Sequence, residues 1–337
     1  MSTVFITQPG AQLKIESGRL VIKGDDGSNH VILLHRVDQV VVTGHATISA
    51  GVVEAMTKAD VDLIFLSRGG KYLGRIERPL SKNIFLRKRQ YAKCDDPLWC
   101  LELAREIVRR KISVMRVFAG RIRRESGLSE DADISARMDS FLRSINLADN
   151  IDSLRGMEGV ATKAYFSILS QGIDDEDFKF SQRTRRPPAD PANALLSFGY
   201  VVLSNAVHSD ILRHGLDPFC GVLHADSYGR PSLTLDLMEE FRTILIDPCV
   251  LKVFNLKMLK KSHFQEHEED SGIRGIWLTP DGIKIYLGAI QKRMQEEFFH
   301  KEFGRKMSFR KIITAHAGAF RDVIMGVRKV LPEMGWR

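Results

Sequence analysis

Two segments far apart in the chain carry acidic and histidine side chains in patterns that suit metal-assisted chemistry. In the first segment, Glu158 shares one face of a predicted helix with the apolar or aromatic side chains of Leu154, Ala161 and Tyr165. This face is therefore inward, and a carboxylate on it must be paired with a cation, either a basic side chain or a bound metal. A salt bridge to a core arginine is the commoner of the two outcomes. Gly156 and Gly159 flank the carboxylate and predict the close approach of another backbone or of a ligand.

The second segment contains His224, Asp236 and Glu239. The two acids are three residues apart and share one helical face, where like charges repel mildly unless a cation lies between them. His224 precedes a turn at residues 229–231, which can fold the imidazole back over this face. One imidazole among several carboxylates suits Mg²⁺ or Mn²⁺ better than zinc. The alternative is a solvated acidic helix with an uninvolved histidine, because acid pairs at this spacing are common.

Taken together, the two segments supply a candidate catalytic set for phosphodiester chemistry. A metal held by such residues can polarise a phosphodiester and activate an attacking oxygen. The sequence contains neither a G-x-x-x-x-G-K-[ST] loop nor a G-x-G-x-x-G after a strand, so a nucleotide cofactor is not predicted. The candidate catalytic residues are Glu158, His224, Asp236 and Glu239.

Basic residues are concentrated in three regions of the chain, at 105–124, 183–186 and 252–261. The 50 lysines and arginines exceed the 42 acids, which gives a formal net charge of +8. Any one such cluster is most often a solvated face. Three clusters beside a candidate metal site favour DNA, because neutralising phosphates supplies most of the affinity for a duplex. The candidate DNA contacts are Arg109, Arg116, Arg123, Arg185 and Arg186.

The periodicity of the apolar residues changes along the chain. Residues 1–83 alternate as strands do, with a hairpin signal at Ser17 and Gly18, and predict a β-rich N-terminal domain. Residues 84–96 are basic and are predicted to be a linker. Residues 97–330 repeat at helical spacing and predict a larger all-α catalytic domain, followed by a tail at 331–337. The fold class is therefore α+β with more than one domain.

The cysteines, the N-terminal residues and the longest apolar stretch indicate where in the cell the protein is expected. The four cysteines form no C-x-x-C pair, which favours free thiols in a reducing cytosol over a structural zinc site. The N-terminus does not follow the pattern of a signal peptide, and the apolar stretch 194–207 is too short and too polar to span a bilayer. We therefore expect a cytoplasmic protein that does not associate with a membrane.

Several stretches together resemble a known family, the CRISPR-associated endonuclease that inserts new spacers into CRISPR arrays. Their order and spacing run across nearly the whole chain, and it is the combination that is specific. The stretches are LHRVDQV at 34–40, RGMEG at 155–159, NALLSFGY at 193–200, LDP at 216–218, DLMEEFR at 236–242 and LTPDG at 278–282.

The resemblance implies a β-sandwich-like N-terminal domain that forms a homodimer and a helical catalytic domain that acts on DNA. It implies Mg²⁺ or Mn²⁺ bound by Glu158, His224 and Glu239, with Asp236 as an additional acid in the site. A second, smaller CRISPR adaptation protein would be the partner, and prespacer and repeat DNA the substrates in antiviral defence. The sequence at 332–337 departs from the family pattern, so no partner contact is assigned to the tail.

The reaction that the resemblance implies is direct transesterification, in which a 3′-hydroxyl attacks a phosphodiester of the repeat. Two alternatives remain open at this point. One is a stand-alone metal-dependent DNA nuclease. The other is a non-catalytic DNA-binding scaffold whose acids are structural.

Overall fold

A computed structural model of the protein describes residues 2–67, 71–76, 83–127, 132–224, 227–268 and 274–334. The chain begins with two four-stranded sheets and continues as a mainly helical domain, which confirms the predicted α+β class. A turn expected at 68–70 and the last three residues of the tail lie outside the described residues.

The N-terminal part packs two sheets face to face. Its strands and one helix are β1 Ser2–Ile6, β2 Ala11–Glu16, β3 Arg19–Lys23, β4 Asn29–Leu33, β5 Val37–Thr43, β6 Ala46–Ile48, α1 Ala50–Lys58, β7 Asp62–Leu66 and β8 Tyr72–Ile76. One sheet has the order β1-β5-β7-β8 and the other has the order β4-β3-β2-β6. The predicted hairpin joins β2 to β3, and both Ser17 and Gly18 take a left-handed backbone there, as a tight two-residue turn requires.

Strand β5 lies at the centre of the architecture, because every one of its residues is buried. It pairs in parallel with β1 and β7. The sequence of a parallel strand is a nearly continuous apolar run when both faces of its sheet are covered. Val40 and Val42 point into the core between the two sheets. Val41, between them in the chain, belongs to the core of the helical domain. The first sheet is therefore covered by the second sheet on one face and by helices on the other.

The helical domain surrounds one long buried helix. Its elements are α2 Ile84–Cys94, α3 Pro97–Glu125, α4 Ala132–Ser144, α5 Ile151–Gln171, α6 Pro191–Arg213, α7 Ser232–Phe241, α8 Asp247–Asn255, β9 Phe264–Glu268, β10 Arg274–Leu278, α9 Pro280–Gln295, β11 Glu297–His300, β12 Arg305–Ser308 and α10 Phe309–Ile324. The periodicity predicts an all-helical domain, but the structure also contains two hairpins, β9 with β10 and β11 with β12.

The segment expected to be a linker, residues 84–96, is helical over most of its length as α2. The Asn83 side chain caps this helix by accepting a hydrogen bond from the Leu86 amide at 3.2 Å. Leu86 and Gln90 are buried, and most of the other α2 side chains are exposed. Because the buried stripe is so narrow, residues 84–96 show almost no apolar periodicity. Their sequence therefore predicts a basic linker instead of a helix.

Helix α6 is buried on nearly all sides and therefore reads as apolar all round. It is long and apolar enough to cross a membrane by length and composition, but 67% of its most apolar window is buried inside the protein. Gly199 explains how it packs so closely, since a Cβ there would lie 2.5 Å from the Ile246 side chain. The helix is therefore the central core element that the other helices pack around.

Polar side chains join the first sheet and α10 to the C-terminal end of α6. From the sheet, Gln39 and Arg75 both donate to the Ser209 hydroxyl, at 3.0 and 2.8 Å. From α10, Arg310 forms a two-pronged ion pair with the fully buried Asp210. Burial by itself lowers the pKa of Arg310, but Asp210 more than offsets this effect and the pKa is raised. This network fixes where the two parts of the molecule meet.

We expect Arg310→Met to lower the free energy of unfolding by about 3 kcal/mol, because it leaves Asp210 buried without its bidentate partner. Lys311→Met on the exposed side of the same helix is the matched control, and its effect should stay within about 0.5 kcal/mol. The measurement is the urea midpoint of each variant beside the parent. Equal midpoints for the two variants would contradict a structural role for the Asp210 pair.

Candidate active site

The structure brings three of the four predicted catalytic residues to one buried point. Glu158 lies on α5, whose bounds coincide with the helix predicted at 151–171. Glu239 lies on α7, and His224 lies in the loop that precedes that helix. The inward direction predicted for Glu158 is confirmed, since Leu154, Ala161 and Tyr165 on the same face are buried in the core.

A lysine that the sequence analysis did not single out lies between the two glutamates. The Lys111 ammonium group, on α3, ion-pairs with Oε1 of Glu158 and lies 2.5 Å from Oε2 of Glu239. The side chains of Lys111 and Glu239 are only 9% and 4% exposed, so this is a buried bridge rather than a surface contact. The cation that Glu158 requires is supplied by α3, and it is a lysine rather than the expected arginine.

Glu239 has two further neighbours on the side of its Oε1 atom. The guanidinium of Arg242 lies 3.2 Å from its Oε1 atom, and Nε2 of His224 lies 3.7 Å from the same atom. Burial by itself would raise the pKa of Glu239, but Arg242, Lys111 and His224 together lower it to about 2. The carboxylate is therefore ionised at neutral pH although it is buried.

Helix α7 continues into a π-helical turn from Arg242 to Ile246 before α8 begins. Apolar spacing predicts one continuous helix over 234–245, and the structure differs from it in this wider turn. Such turns occur as local insertions in α-helices, frequently at functional sites. Arg242, its first residue, follows Glu239 by three residues, a spacing that makes helical side chains neighbours, and its guanidinium also lies over the Tyr200 ring at 4.9 Å.

Asp236, the additional acid expected in the site, lies behind His224 and contacts the loop that carries it. Its Oδ2 atom accepts hydrogen bonds from the Val222 and Leu223 amides at 2.6 and 3.0 Å. Its Oδ1 atom accepts from the amide and from Nδ1 of His224, at 3.0 and 2.6 Å. Both oxygens are thus occupied by the loop, so Asp236 and Glu239 do not face one cation. Asp236 instead orients the imidazole and leaves Nε2 directed toward Glu239, as carboxylates do for metal-binding histidines.

The loop that carries His224 is held from several sides. Gly221 packs so closely on α7 that a Cβ there would lie 2.6 Å from Oδ2 of Asp236 and 2.7 Å from the Ser232 carbonyl carbon. Arg155 donates to the Leu223 carbonyl at 2.7 Å, and Gln90 donates to the Cys220 carbonyl at 3.1 Å. The backbone at 220–224, which carries the imidazole, is therefore held in place. Residues 225 and 226, which follow it, lie outside the described residues.

The donor set suits a hard divalent cation. Two carboxylates and an imidazole nitrogen converge, and Oε2 of Glu239 is buried and accepts no hydrogen bond of good geometry despite its ion pair with Lys111. Among the described residues, no three His, Cys, Asp or Glu side chains are placed to hold a metal ion as they stand. In the structure the Lys111 ammonium group lies between Glu158 and Glu239.

The flanking glycines do not mark a close backbone approach. Within the described part of the chain, a Cβ on Gly156 or Gly159 would meet no atom within 4 Å, and both residues are exposed. The sequence expectation of a neighbouring backbone is therefore wrong. The two glycines instead lie on the solvent side of α5, away from the face that carries Leu154 and Ala161.

The five arginines expected to contact DNA differ in their surroundings. Arg185 and Arg186 are exposed on the segment between α5 and α6. Arg116 is exposed but pairs with Asp139 at 2.8 Å, and Arg109 donates to Asn146 at 2.5 Å. Arg123 is only 8% exposed, because it lies beside Ile122 on the buried face of α3. That burial leaves Arg123 little surface for a phosphate and argues against it as a DNA contact.

Lys111 is the functional residue that sequence reasoning missed, although a signal exists. In the sequence it is one of many basic residues of α3, which together resemble a single basic surface. Lys111 follows Val108 by three residues and precedes Met115 by four, so it shares their buried stripe. A lysine in an apolar stripe requires a buried anion, and Glu158 is the carboxylate that lacks a partner in the sequence pattern.

The comparisons with known proteins agree with this fold. A family model for "CRISPR associated protein Cas1" matches residues 4–292. The chain is 36% identical over 310 residues to the CRISPR-associated endonuclease Cas1 2 of Rhodospirillum rubrum, a match that covers 89% of this chain and 88% of that protein.

Solved structures show the same architecture. A Cas1 protein from Thermotoga maritima matches with a TM-score of 0.83 and 25% identity over 98% of this chain and 99% of that one. A casposase bound to its integration product matches with a TM-score of 0.85 over 99% of this chain and 93% of that one, and at 19% identity this likeness concerns the fold alone. The family model and the extent of identity to the Rhodospirillum endonuclease show that this chain belongs to the Cas1 family of CRISPR-associated proteins.

Proposed function

We propose that this Cas1 protein is a divalent-metal-dependent DNA integrase that inserts new spacers into a CRISPR array by direct transesterification. The observation that carries the proposal is the convergence of Glu158, Glu239 and His224 from separate elements around one buried cation position. The side chains of Glu158 and His224 are 22% and 20% exposed, so solvent reaches this position. A phosphodiester can therefore approach it from the surface.

The protein's own residues prepare the site before substrate binds. Glu239 is ionised, and Asp236 holds His224 with Nε2 available as a ligand atom. Glu158, His224 and Glu239 are the residues that would hold Mg²⁺ or Mn²⁺. The cation, when bound, would stabilise the negative charge that develops on the phosphoryl oxygens. Asp236 acts as a positioning residue, because its side-chain hydrogen bonds within the described part of the chain are with the loop at 222–224.

The chemistry is balanced without a further reactant. The 3′-oxygen of the incoming DNA forms a bond to a repeat phosphorus as the bond from that phosphorus to the repeat 3′-oxygen breaks. The attacking hydroxyl releases a proton and the displaced oxygen takes one up, so one phosphodiester replaces another. With water as the attacking group, the same site would cleave DNA, which is the endonuclease activity named for the curated relatives.

Solved complexes of proteins with this fold suggest which partner this protein binds. A chain of a solved "Cas6-RT-Cas1–Cas2 complex" has this fold with a TM-score of 0.82 and 23% identity, and this chain covers 36% of it. We propose that this protein likewise works with a small Cas2-type adaptation protein. The solved casposase, which is bound to an integration product, lends support to strand transfer on this fold.

We also propose a division of labour between the domains. Residues 1–83 would form the dimerisation domain, residues 84–96 a helical connection, and residues 97–330 the catalytic domain. The exposed edge strand β8 presents Tyr72 and Leu73 to solvent, at 44% and 63% exposure, and offers one hydrophobic surface for a second copy.

The first prediction concerns the ligand residues. We expect Glu158→Gln, Glu239→Gln and His224→Ala to reduce strand transfer by roughly 100-fold or more, because each removes a ligand to the charge-stabilising cation. Asp236→Asn should reduce it by roughly 10- to 100-fold, the usual range for a residue that orients a ligand. The assay is Mn²⁺-supported joining of labelled DNA to a plasmid that carries a repeat array.

Glu102→Gln on the exposed side of α3 is the control and should leave joining unchanged. DNA binding is measured on the same preparations and should be nearly intact for every variant. Parent-level joining by the Glu158 and Glu239 variants would contradict the site and favour the scaffold alternative. Cleavage without joining by the parent, with the adaptation partner present, would favour the stand-alone nuclease.

The second prediction concerns DNA affinity. Reversing Arg185 and Arg186 to Glu should weaken binding and reduce the slope of log affinity against log salt by about 1 for each phosphate that is no longer neutralised. Lys284→Glu with Lys292→Glu on α9 changes the net charge equally at exposed positions and serves as the control. Equal reductions of affinity in both double variants would mean that net charge, and not this segment, controls binding.

The third prediction concerns assembly. Sedimentation at micromolar concentration should give twice the 38.1 kDa chain mass. Leu73→Glu should shift the protein toward the monomer, because it places a charge on the proposed edge. A monomeric parent would contradict the dimer, whereas a dimeric Leu73→Glu variant would show that the interface lies elsewhere.

A further inference from the structure

We propose that Lys111 is a built-in counter-cation that competes with the divalent metal for Glu158 and Glu239. In this view metal binding requires the Lys111 ammonium group to leave its position between the two carboxylates. The inference rests on the proposed function, because it concerns the same site. It adds to that function a residue that sets the affinity of the site for its metal.

The first argument is that Lys111 occupies the place of the metal. One ammonium group contacts a carboxylate oxygen from each glutamate, and the lysine side chain is 9% exposed. Hard divalent cations bind carboxylate oxygens at about 2.0–2.6 Å, so a metal bound to both glutamates needs the same volume. Two positive groups cannot share that volume, because like charges in a buried site repel strongly.

The second argument is that the carboxylates do not depend on Lys111 for their positions. Thr162, one turn further along α5, donates to Oε1 of Glu158 at 2.8 Å. Arg242 and His224 lie beside Oε1 of Glu239, at 3.2 and 3.7 Å. Each glutamate therefore keeps another polar partner when the ammonium group is removed. Lys111 neutralises the pair of charges without being the group that orients them.

The third argument concerns the type of residue. A lysine carries its charge on a flexible four-carbon chain and makes no fixed two-pronged contact, in contrast to arginine. Its ammonium group can therefore withdraw from the carboxylates without moving α3. A guanidinium in the same place would bind a carboxylate bidentately and would resist displacement.

The test uses the full-length protein and Mn²⁺ alone, with binding measured by calorimetry. Lys111→Met keeps the volume and removes the charge, and we expect Mn²⁺ to bind roughly tenfold more tightly than to the parent because its competitor is absent. Lys111→Arg keeps the charge and should bind Mn²⁺ no more tightly than the parent. Lys93→Met, an exposed lysine over the Trp99 ring, is the matched control and should leave Mn²⁺ affinity unchanged.

Thermal unfolding supplies a second readout that does not depend on activity. Without metal, Lys111→Met should melt below the parent, since it leaves the buried Glu239 and the partly buried Glu158 without their shared cation. Saturating Mn²⁺ should raise its melting temperature by more than it raises that of the parent. Parent-like or weaker Mn²⁺ affinity in Lys111→Met would overturn the inference. Failure of the parent itself to bind Mn²⁺ would instead overturn the proposed metal function.

A third measurement applies even if Lys111→Met does not fold. In protein labelled with ¹³C at the lysine ε-carbon, Lys111 is assigned as the resonance that disappears from the spectrum of the Lys111→Arg variant. This resonance should move on saturation with Mg²⁺, while that of Lys93 should stay in place. An unmoved Lys111 resonance in Mg²⁺-saturated protein would overturn the inference.

Discussion

The helical domain depends on the electrostatic cost of holding Glu158 and Glu239 next to each other inside the protein. Neighbouring carboxylates repel each other, and burial makes the charge of Glu239 costly, so cations are needed around the pair. The fold supplies Lys111 from α3 and Arg242 from the turn after α7. Because these cations come from different elements, the site exists only when α3, α5 and α7 are packed together.

A second buried carboxylate stabilises the position of one of these cations. Asp247, at the start of α8, accepts hydrogen bonds from the hydroxyls of Tyr165 and Tyr200 at 2.6 and 2.7 Å. Burial raises the pKa of Asp247 to about 6, although both tyrosine hydrogen bonds act in the opposite direction. The Tyr200 ring in turn faces the guanidinium of Arg242. The π-helical turn between Arg242 and Asp247 thus joins the active-site carboxylate to a polar network in the core.

The contact between the first sheet and the helices is also polar. Arg75 of β8 reaches both Ser209 and Asp62, and Asp62 is 3.6 Å from the guanidinium. Buried networks of this kind are directional, so they fix one relative placement of the two parts better than apolar contacts alone. The helix that carries Ser209, α6, also packs against α7, which carries Glu239.

Much of this architecture could be predicted from the sequence because it depends on local periodicity. The change from alternating to helical spacing indicates the α+β class, and the repeat through Leu154, Ala161 and Tyr165 indicates both the bounds of α5 and the inward direction of Glu158. The grouping of Glu158, His224 and Glu239 came from the resemblance of several spaced stretches to one family. Helix α2 was missed because its narrow buried stripe leaves no apolar repeat.

Tertiary packing determines which charged groups meet. Helical spacing places Lys111 on the buried stripe of α3, but its contacts with Glu158 and Glu239 exist only once α3, α5 and α7 are packed together. Asp236 has the residue type and spacing of a metal ligand, yet the loop at 222–224 folds onto it and takes up both oxygens. The sequence determines which face of an element a side chain occupies, because that depends on the local backbone. Its partner depends on distances between elements far apart in the chain, which only packing sets.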